Sequence, residues 1–107
     1  MKVHTQLGMG FKEAVYKDAL KLGFRQNDIL YLREKKFDVE YKGIILSHKY
    51  FADFVMFDQI ILELKSSSFI VNNFVAQTIH YLKASGMKLG IIVNFGERSL
   101  TYKRIVF

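Results

Sequence analysis

The amino-acid sequence contains no cysteine and no proline. The absence of cysteine excludes disulfide bonds, thiolate zinc sites and cysteine nucleophiles together. The three histidines, His4, His48 and His80, do not have the spacing of metal ligands. We therefore expect that any bound metal is a hard cation held by carboxylate oxygens.

Long hydrophobic runs are also absent. Apolar runs such as Ile60–Leu62 and Ile91–Val93 are far shorter than the roughly 20 residues that a membrane-spanning helix needs. The segment Met1–Gln6 contains no apolar stretch of the kind found in a secretory signal. These absences predict a cytoplasmic protein that does not act in a membrane.

The chain does contain enough apolar material for a core. Of its 107 residues, 50% are hydrophobic and 15% are aromatic, which predicts a single domain over residues 1–107. Lys and Arg number 16 against 10 Asp and Glu, a formal net charge of +6. A basic protein attracts polyanions such as nucleic acid. Because the basic residues are scattered along the chain, an ordinary solvated surface is the alternative interpretation.

The first periodic segment begins at Phe11. The apolar residues Phe11, Val15, Ala19 and Leu22 recur at helical spacing, which places them on one face of a predicted helix that ends near Gly23.

The remaining pattern predicts strands and one more helix. Three strands in succession favour an antiparallel meander, and a strand after the second helix favours a crossover connection. We therefore expect an α/β fold with a mixed β-sheet flanked by helices, in the order α-β-β-β-α-β-β. The predicted segments are Lys36–Tyr41 with a turn at Lys42–Gly43 into Ile44–Leu46, strands at Tyr50–Phe57 and Ile60–Lys65, a helix with Asn72 or Asn73 as its N-cap that runs to about Ala84 and is stopped by Gly86, and strands at Leu89–Asn94 and Leu100–Val106.

The strand predicted at Ile60–Lys65 carries two charged residues among apolar ones. Glu63 and Lys65 are two positions apart, so they project from the same face of the strand. Their apolar neighbours indicate a strand that is buried on both faces, where charges are costly unless they are paired or bind an ion. The alternative interpretation is that the strand reaches its exposed end here and that Glu63 and Lys65 form an ordinary pair in solvent.

A third charged residue, Asp53, lies within the preceding apolar strand. A two-residue turn at Asp58–Gln59 would pair Asp53 with Leu64 and place the carboxylate on the wrong face. A three-residue connection, or one bulge, would pair Asp53 with Lys65 and bring all three charged groups to one side. A functional cluster therefore requires an odd connection or a bulge between these strands.

Two carboxylates beside a lysine suit phosphodiester cleavage. Two acids can hold Mg²⁺, or Mn²⁺ in its place, with substrate phosphate supplying further ligands. The ion activates the phosphoryl group and a water molecule, and a neighbouring lysine can stabilise developing negative charge.

The same residues resemble the signature of the PD-(D/E)xK nuclease superfamily, with Ala52 in place of its proline. Within that superfamily the chain resembles the bacterial family named for the motif GxxExxY, and the similarity runs in order along nearly the whole sequence. The segments that carry it are Gly10–Tyr16, Asp53 with Glu63–Lys65, Ala76–Gly86 and Leu89–Gly96.

The resemblance implies a restriction-endonuclease-like core and a role for each matching residue. Asp53 and Glu63 would be metal ligands, together with the main-chain carbonyl of Leu64. Lys65 would be the catalytic lysine. Glu13 would be a further acid that helps to hold the metal or its water, although an ordinary surface glutamate is the alternative interpretation.

The resemblance also implies a supporting group on the two helices. Gln77 and Tyr81 are four residues apart and share a helix face; they would support the lysine and contact nucleic acid. Their alternative role is packing by Tyr81 with Gln77 exposed. Tyr16 lies one turn from Glu13 and would orient it, or simply pack.

The sequence therefore predicts a metal-dependent nuclease that acts on DNA or RNA. A non-catalytic nucleic-acid-binding or protein-interaction module with the same fold is the alternative. A chain of 107 residues leaves little room for a separate substrate-recognition element, so a homodimer or a partner domain is a further possibility.

Overall fold

The structure is a computed structural model that describes residues 7–8, 11–70, 72–98 and 100–107. Its two main helices are α1 (Glu13–Gln26) and α2 (Asn72–Ser85). None of the helices in this part of the chain is long and apolar enough to cross a membrane. The strands are β1 (Tyr31–Phe37), β2 (Glu40–Tyr41), β3 (Ile44–Ile45), β4 (Tyr50–Met56), β5 (Ile60–Lys65), β6 (Leu89–Asn94) and β7 (Thr101–Val106).

Five strands form one mixed sheet in the order β1-β4-β5-β6-β7. The pair β5/β6 is parallel and the other three pairs are antiparallel. Helix α2 lies in the connection between β5 and β6, as expected because parallel neighbours need a long crossover. The predicted α/β architecture, a mixed sheet flanked by helices and consistent with a restriction-endonuclease-like core, is confirmed.

The first strand of this sheet differs from the prediction. It is β1, Tyr31–Phe37, whereas the pattern pointed to Lys36–Tyr41. The turn predicted at Lys42–Gly43 is present, but it joins β2 and β3 in a separate two-stranded hairpin. Strand β1 was missed because four charged residues, 33–36, occupy its interior, which an edge strand tolerates because it borders solvent.

Helix α1 extends beyond Gly23 and buries a different face from the predicted one. It continues to Gln26 because Asn27, through its main-chain and side-chain N–H groups, caps the carbonyl of Gly23 at 3.1 and 2.8 Å. Its buried residues are Tyr16 and Leu20. The predicted stripe is largely exposed, with Leu22 57% accessible. The helix carries two apolar stripes, and only docking against the sheet selects between them.

Helix α2 agrees closely with its prediction. It begins at Asn72, and Gly86 follows its last residue with a φ of 75° and a main-chain hydrogen bond to Leu82. This is the left-handed geometry in which glycine commonly ends a helix.

The sheet has an apolar core on each face. On one face, Tyr16 and Leu20 of α1 pack with Phe54, Leu62 and others. On the opposite face, Leu82 of α2 belongs to a second cluster, and partly buried residues of that helix surround it. Strand β5 lies in the middle of the sheet, and its inner residues 61–64 are buried, as the apolar pattern predicted.

Candidate active site

The connection between β4 and β5 determines whether the charged residues meet. Met56 pairs with Ile60 and Phe54 with Leu62, which leaves three connecting residues, 57–59. The odd connection that a functional cluster requires is therefore present. Continuing this register would set Asp53 opposite Glu63 rather than Lys65, so the predicted partner was wrong by two positions, and the face was right.

The regular alternation of side chains in β4 breaks at Asp53. Ala52 packs in the core on the α2 side, whereas Phe54 packs in the core on the α1 side, although residues two apart in a regular strand share a face. Strand β1 shows a matching break at Glu34, whose φ is 55°. The pair Glu34–Asp53 is missing from an otherwise continuous ladder between the two strands. Local irregularities of this kind re-aim side chains.

The break allows the carboxylate of Asp53 to reach groups on two neighbouring elements. Its Oδ2 accepts a hydrogen bond from the main-chain N–H of Leu64 at 2.8 Å, just beyond the point where the β4/β5 ladder ends. Its Oδ1 lies 2.7 Å from the Nζ of Lys17 on α1. The side chain of Asp53 is 13% exposed. Asp53 is therefore held at the edge of solvent by one cation and one main-chain donor.

Glu63 lies beside Asp53 in the centre of the sheet and is 5% exposed. The hydroxyl of Tyr50 donates a hydrogen bond to its Oε1. Burial raises the pKa of Glu63 to about 8, and the charge of Asp53 and a hydrogen bond with it act in the same direction. Two adjacent carboxyl groups with little water cannot both ionise cheaply. In the absence of another cation, the pair therefore retains a proton at neutral pH.

Tyr50 connects this carboxyl pair to α2. Its ring stacks on that of Tyr81, with 3.5 Å between centroids and 12° between planes. Burial and the charge of Glu63 raise the pKa of Tyr50 far above its ordinary value, so Tyr50 is a neutral donor. Burial and the same charge also raise the pKa of Tyr81, opposed by a hydrogen bond with Gln77. The predicted pair Gln77 and Tyr81 thus reaches the carboxyl groups through Tyr50.

Lys65 lies at the carboxyl end of β5, where an open cleft of about 800 Å³ begins. Its ammonium lies 4.8 Å from the centroid of the Phe74 ring on α2, and its charge lowers the pKa of Glu63 against the larger effects that raise it. Glu13 lines the same cleft, but Asp53 and Glu63 do not. Lys65 therefore lines the cleft and lies near enough to Glu63 for the two charges to interact.

Asn94, which is fully buried, links Ser67 and Gly96, two residues that line the cleft. Its Oδ1 accepts hydrogen bonds from the main-chain N–H groups of Ser67 and Gly96, both at 3.0 Å, and its Nδ2 donates to Glu97 at 2.7 Å. These bonds join the ends of the parallel strands β5 and β6, the edge at which open α/β sheets bind ligands.

Tyr16 packs rather than orients Glu13. Its ring stacks on Phe95 at 4.4 Å. Its hydroxyl donates to the carbonyl of Gly8 at 2.5 Å and accepts from the N–H of Phe11 at 3.3 Å. Tyr16 therefore secures the segment that precedes α1. Met9 and Gly10, part of the glycine motif in the sequence, lie outside the described residues.

The donor set can be tested against a divalent cation. The carboxylates of Asp53 and Glu63 are hard oxygen donors of the kind that Mg²⁺ prefers. Among the described residues, no three His, Cys, Asp or Glu side chains come together as a metal site, so Glu13 does not join the two acids. Two carboxylates with main-chain oxygen, phosphate and water fit Mg²⁺, which rarely uses an all-protein cage.

The structure adds two residues that the sequence analysis did not identify, Lys17 and Tyr50. Lys17 lies four positions after Glu13, on the same helix face, so its spacing from Glu13 was a signal that could have identified it. Tyr50 is three residues before Asp53. In a regular strand the side chain of Tyr50 would lie on the face of the sheet opposite Glu63. The break at Asp53 therefore explains how Tyr50 reaches Glu63.

No curated protein matches the sequence of this chain. Among solved structures, the crystal structure of a protein named SSO0001 is similar, with a TM-score of 0.70 and 18% sequence identity. The likeness covers 87% of this chain and 48% of the other, so this chain spans about half the length of that protein. At this identity the likeness concerns the fold alone.

The sequence also matches a family model, that of the PD-(D/E)XK nuclease superfamily, over residues 1–105. The match includes both acids, the lysine and the two helices that flank them. This chain therefore belongs to the PD-(D/E)XK nuclease superfamily.

Proposed function

We propose that the protein is a metal-dependent nuclease that hydrolyses phosphodiester bonds in DNA or RNA. The observation that carries the proposal is the meeting of two carboxyl groups, Asp53 and Glu63, close enough to Lys65 for its charge to act on Glu63. Membership of the superfamily supports nucleic acid as the substrate class, and so does the net charge of +6.

Asp53 and Glu63 would hold Mg²⁺ or Mn²⁺, together with the main-chain carbonyl of Leu64. When bound, the ion would supply Lewis-acid activation of the phosphate and of the attacking water. The proton that Glu63 retains at neutral pH would leave on ion binding, because metal ligands bind in their deprotonated form. Tyr50 would keep Glu63 in position through its hydrogen bond.

Lys65 would stabilise the negative charge that develops on the phosphoryl oxygens. Its place in the lining of the cleft suits this role, because a phosphate bound in the cleft would be near the ammonium. Glu13 lines the same cleft and would position a water molecule there. Gln77 and Tyr81 would contact the nucleic acid and support the cluster through Tyr50.

The similarity to the GxxExxY family remains part of this proposal, as does a cytoplasmic location. A second copy or a partner domain would provide the recognition surface that the single chain leaves small. The alternative is a module that binds nucleic acid or protein without cleaving it.

The test is a cleavage assay on labelled single- and double-stranded DNA and RNA, with Mg²⁺, Mn²⁺ or EDTA. We expect metal-dependent products whose rate falls at least about a hundredfold in Glu63→Gln, which removes a charged metal ligand, and in Lys65→Met, which removes the cation beside the reacting phosphate. The matched controls are Glu40→Gln in β2 and Lys36→Met in β1, both at exposed positions.

Controls should cleave like the natural protein. Binding without products, insensitive to Glu63→Gln and Lys65→Met, would favour the non-catalytic module. Equal cleavage by the natural protein and Lys65→Met would assign the activity to a contaminant and remove the basis for the enzyme.

A further inference from the structure

Lys17 of α1 contacts Asp53, one of the two acids of the candidate site. Its Nζ is 2.7 Å from Oδ1 of Asp53 and 3.4 Å from Oε1 of Glu34. Its side chain is 18% exposed and that of Asp53 is 13% exposed. This pair is more covered than an ordinary surface ion pair, for which solvent screening removes most of the interaction.

The ion pair leaves Asp53 with little capacity for another cation. Its other oxygen, Oδ2, accepts the N–H of Leu64. A divalent ion that takes Asp53 as a ligand must therefore compete with the ammonium of Lys17. A lysine side chain is charged at neutral pH, so this competitor is a full positive charge.

Glu34 gives the displaced ammonium a second partner. Its side chain is 50% exposed, and its φ of 55° places it in the break of β1 opposite Asp53. The lysine can therefore move from a carboxylate in the site to one at its rim without losing all ionic contact. The divalent ion would then replace the ammonium of Lys17 as the positive charge beside Asp53.

We propose that Lys17 is an internal counter-ion that neutralises Asp53 in the metal-free protein and must be displaced when a divalent ion binds. Lys17 thereby lowers the affinity of the site for metal and keeps the acid in place until the ion arrives. The inference rests on the proposed role of Asp53 as a metal ligand.

The test is calorimetric titration of Mn²⁺ into the whole protein without nucleic acid, at constant pH and ionic strength. Lys17→Gln should bind Mn²⁺ about tenfold more tightly, a change of about 1.4 kcal/mol, because its neutral amide can contact Asp53 but competes weakly. Lys17→Arg retains the charge and should bind like the natural protein. Lys21→Gln removes the same charge one turn further along α1 and should change the affinity less than about twofold.

Thermal unfolding provides a readout that needs no metal. Without metal, Lys17→Gln should melt at a lower temperature than the natural protein, because Asp53 and Glu34 lose their shared cation. Added Mn²⁺ should raise its melting temperature by more than it raises that of the natural protein, as tighter binding to the folded state requires.

Unchanged or weaker Mn²⁺ binding by Lys17→Gln would overturn the inference and leave the nuclease proposal intact. Equal tightening in Lys17→Gln and Lys21→Gln would also overturn it, because the cause would then be net charge. If Asp53→Asn leaves Mn²⁺ affinity unchanged, or if no variant binds Mn²⁺, the role of Asp53 as a ligand fails and both proposals fall.

Discussion

The loss of a proton from Glu63 should make the metal-free protein less stable as the pH rises. In the unfolded chain this carboxyl group ionises near its ordinary pKa of 4.5, whereas in the folded protein its pKa is raised to about 8. Between these two values the folded state holds a proton that the unfolded state has released, so raising the pH favours unfolding. Below 4.5 and above about 8 the two states have the same charge at this group, and its contribution is constant.

The size of the effect follows from the two pKa values. At 1.36 kcal/mol for each pKa unit, a pKa raised from 4.5 to about 8 corresponds to a loss on the order of 5 kcal/mol in the free energy of unfolding. A loss of that size is a large part of the roughly 5–15 kcal/mol that stabilises a typical domain. The side chain is 5% exposed, so solvent screening reduces it little.

Glu63→Gln should abolish this dependence. A glutamine has the shape of the protonated acid, can still accept the hydrogen bond of Tyr50 and can donate to Asp53. Near pH 4.5 the variant should be about as stable as the natural protein, and above pH 8 it should be more stable by several kcal/mol. Substitution of a proposed catalytic residue would thus stabilise the fold, as expected where an active site retains a poorly solvated charge.

The assay is urea unfolding in EDTA at a series of pH values from about 4.5 to 9, a range chosen to enclose both pKa values. The matched control is Glu40→Gln in β2, which replaces an exposed acid and should parallel the natural protein at every pH. Parallel curves for Glu63→Gln and the natural protein would refute the reasoning, since they would mean that Glu63 ionises alike in both states.

Two further predictions concern Asn94 and Gly96 at the cleft. Asn94→Ala should lower the free energy of unfolding by about 2–4 kcal/mol, because it leaves the N–H groups of Ser67 and Gly96 without their acceptor in a buried region; urea unfolding measures the loss, and a value below about 0.5 kcal/mol would contradict it. Gly96→Ala would place a Cβ 2.2 Å from the carbonyl oxygen of Ser67, a main-chain contact that cannot yield cheaply, so we expect a loss well above the roughly 1 kcal/mol of an average substitution. A Gly96→Ala protein with natural melting temperature would show that the two segments are not in contact.

Much of the sheet could be predicted from local pattern. Strands β4, β5, β6 and β7 and helix α2 were placed within one or two residues, because alternation, apolar runs and Gly86 are signals carried by neighbouring residues. Strand β1 was not placed, because its charged interior hides its alternation and its identity depends on pairing with β4. The prediction of which face of α1 is buried was wrong for a related reason, since the helix has two apolar stripes and packing against the sheet buries only one.

The features of the candidate site also divide into those that local pattern predicted and those that it did not. Glu63 and Lys65 share a strand, so their common face follows from a period of two and needs no tertiary information. Counting residues also showed that Asp53 shares this face only if the connection between β4 and β5 is odd or contains a bulge. The residue that Asp53 actually meets could not be found by counting, because the register and the break at Asp53 depend jointly on β1, β4 and β5.

The amino-acid sequence by itself determined the order of elements from β4 to β7, the two charged residues of β5 and the need for an odd connection or a bulge before it, because these depend on spacing within a few residues. Tertiary structure decided that Lys17 of α1 pairs with Asp53, that Tyr50 reaches Glu63 and that Glu13 stays apart in the cleft. Such contacts join distant segments, and their energies depend on burial and on the distances between charges, which exist only once the chain has folded.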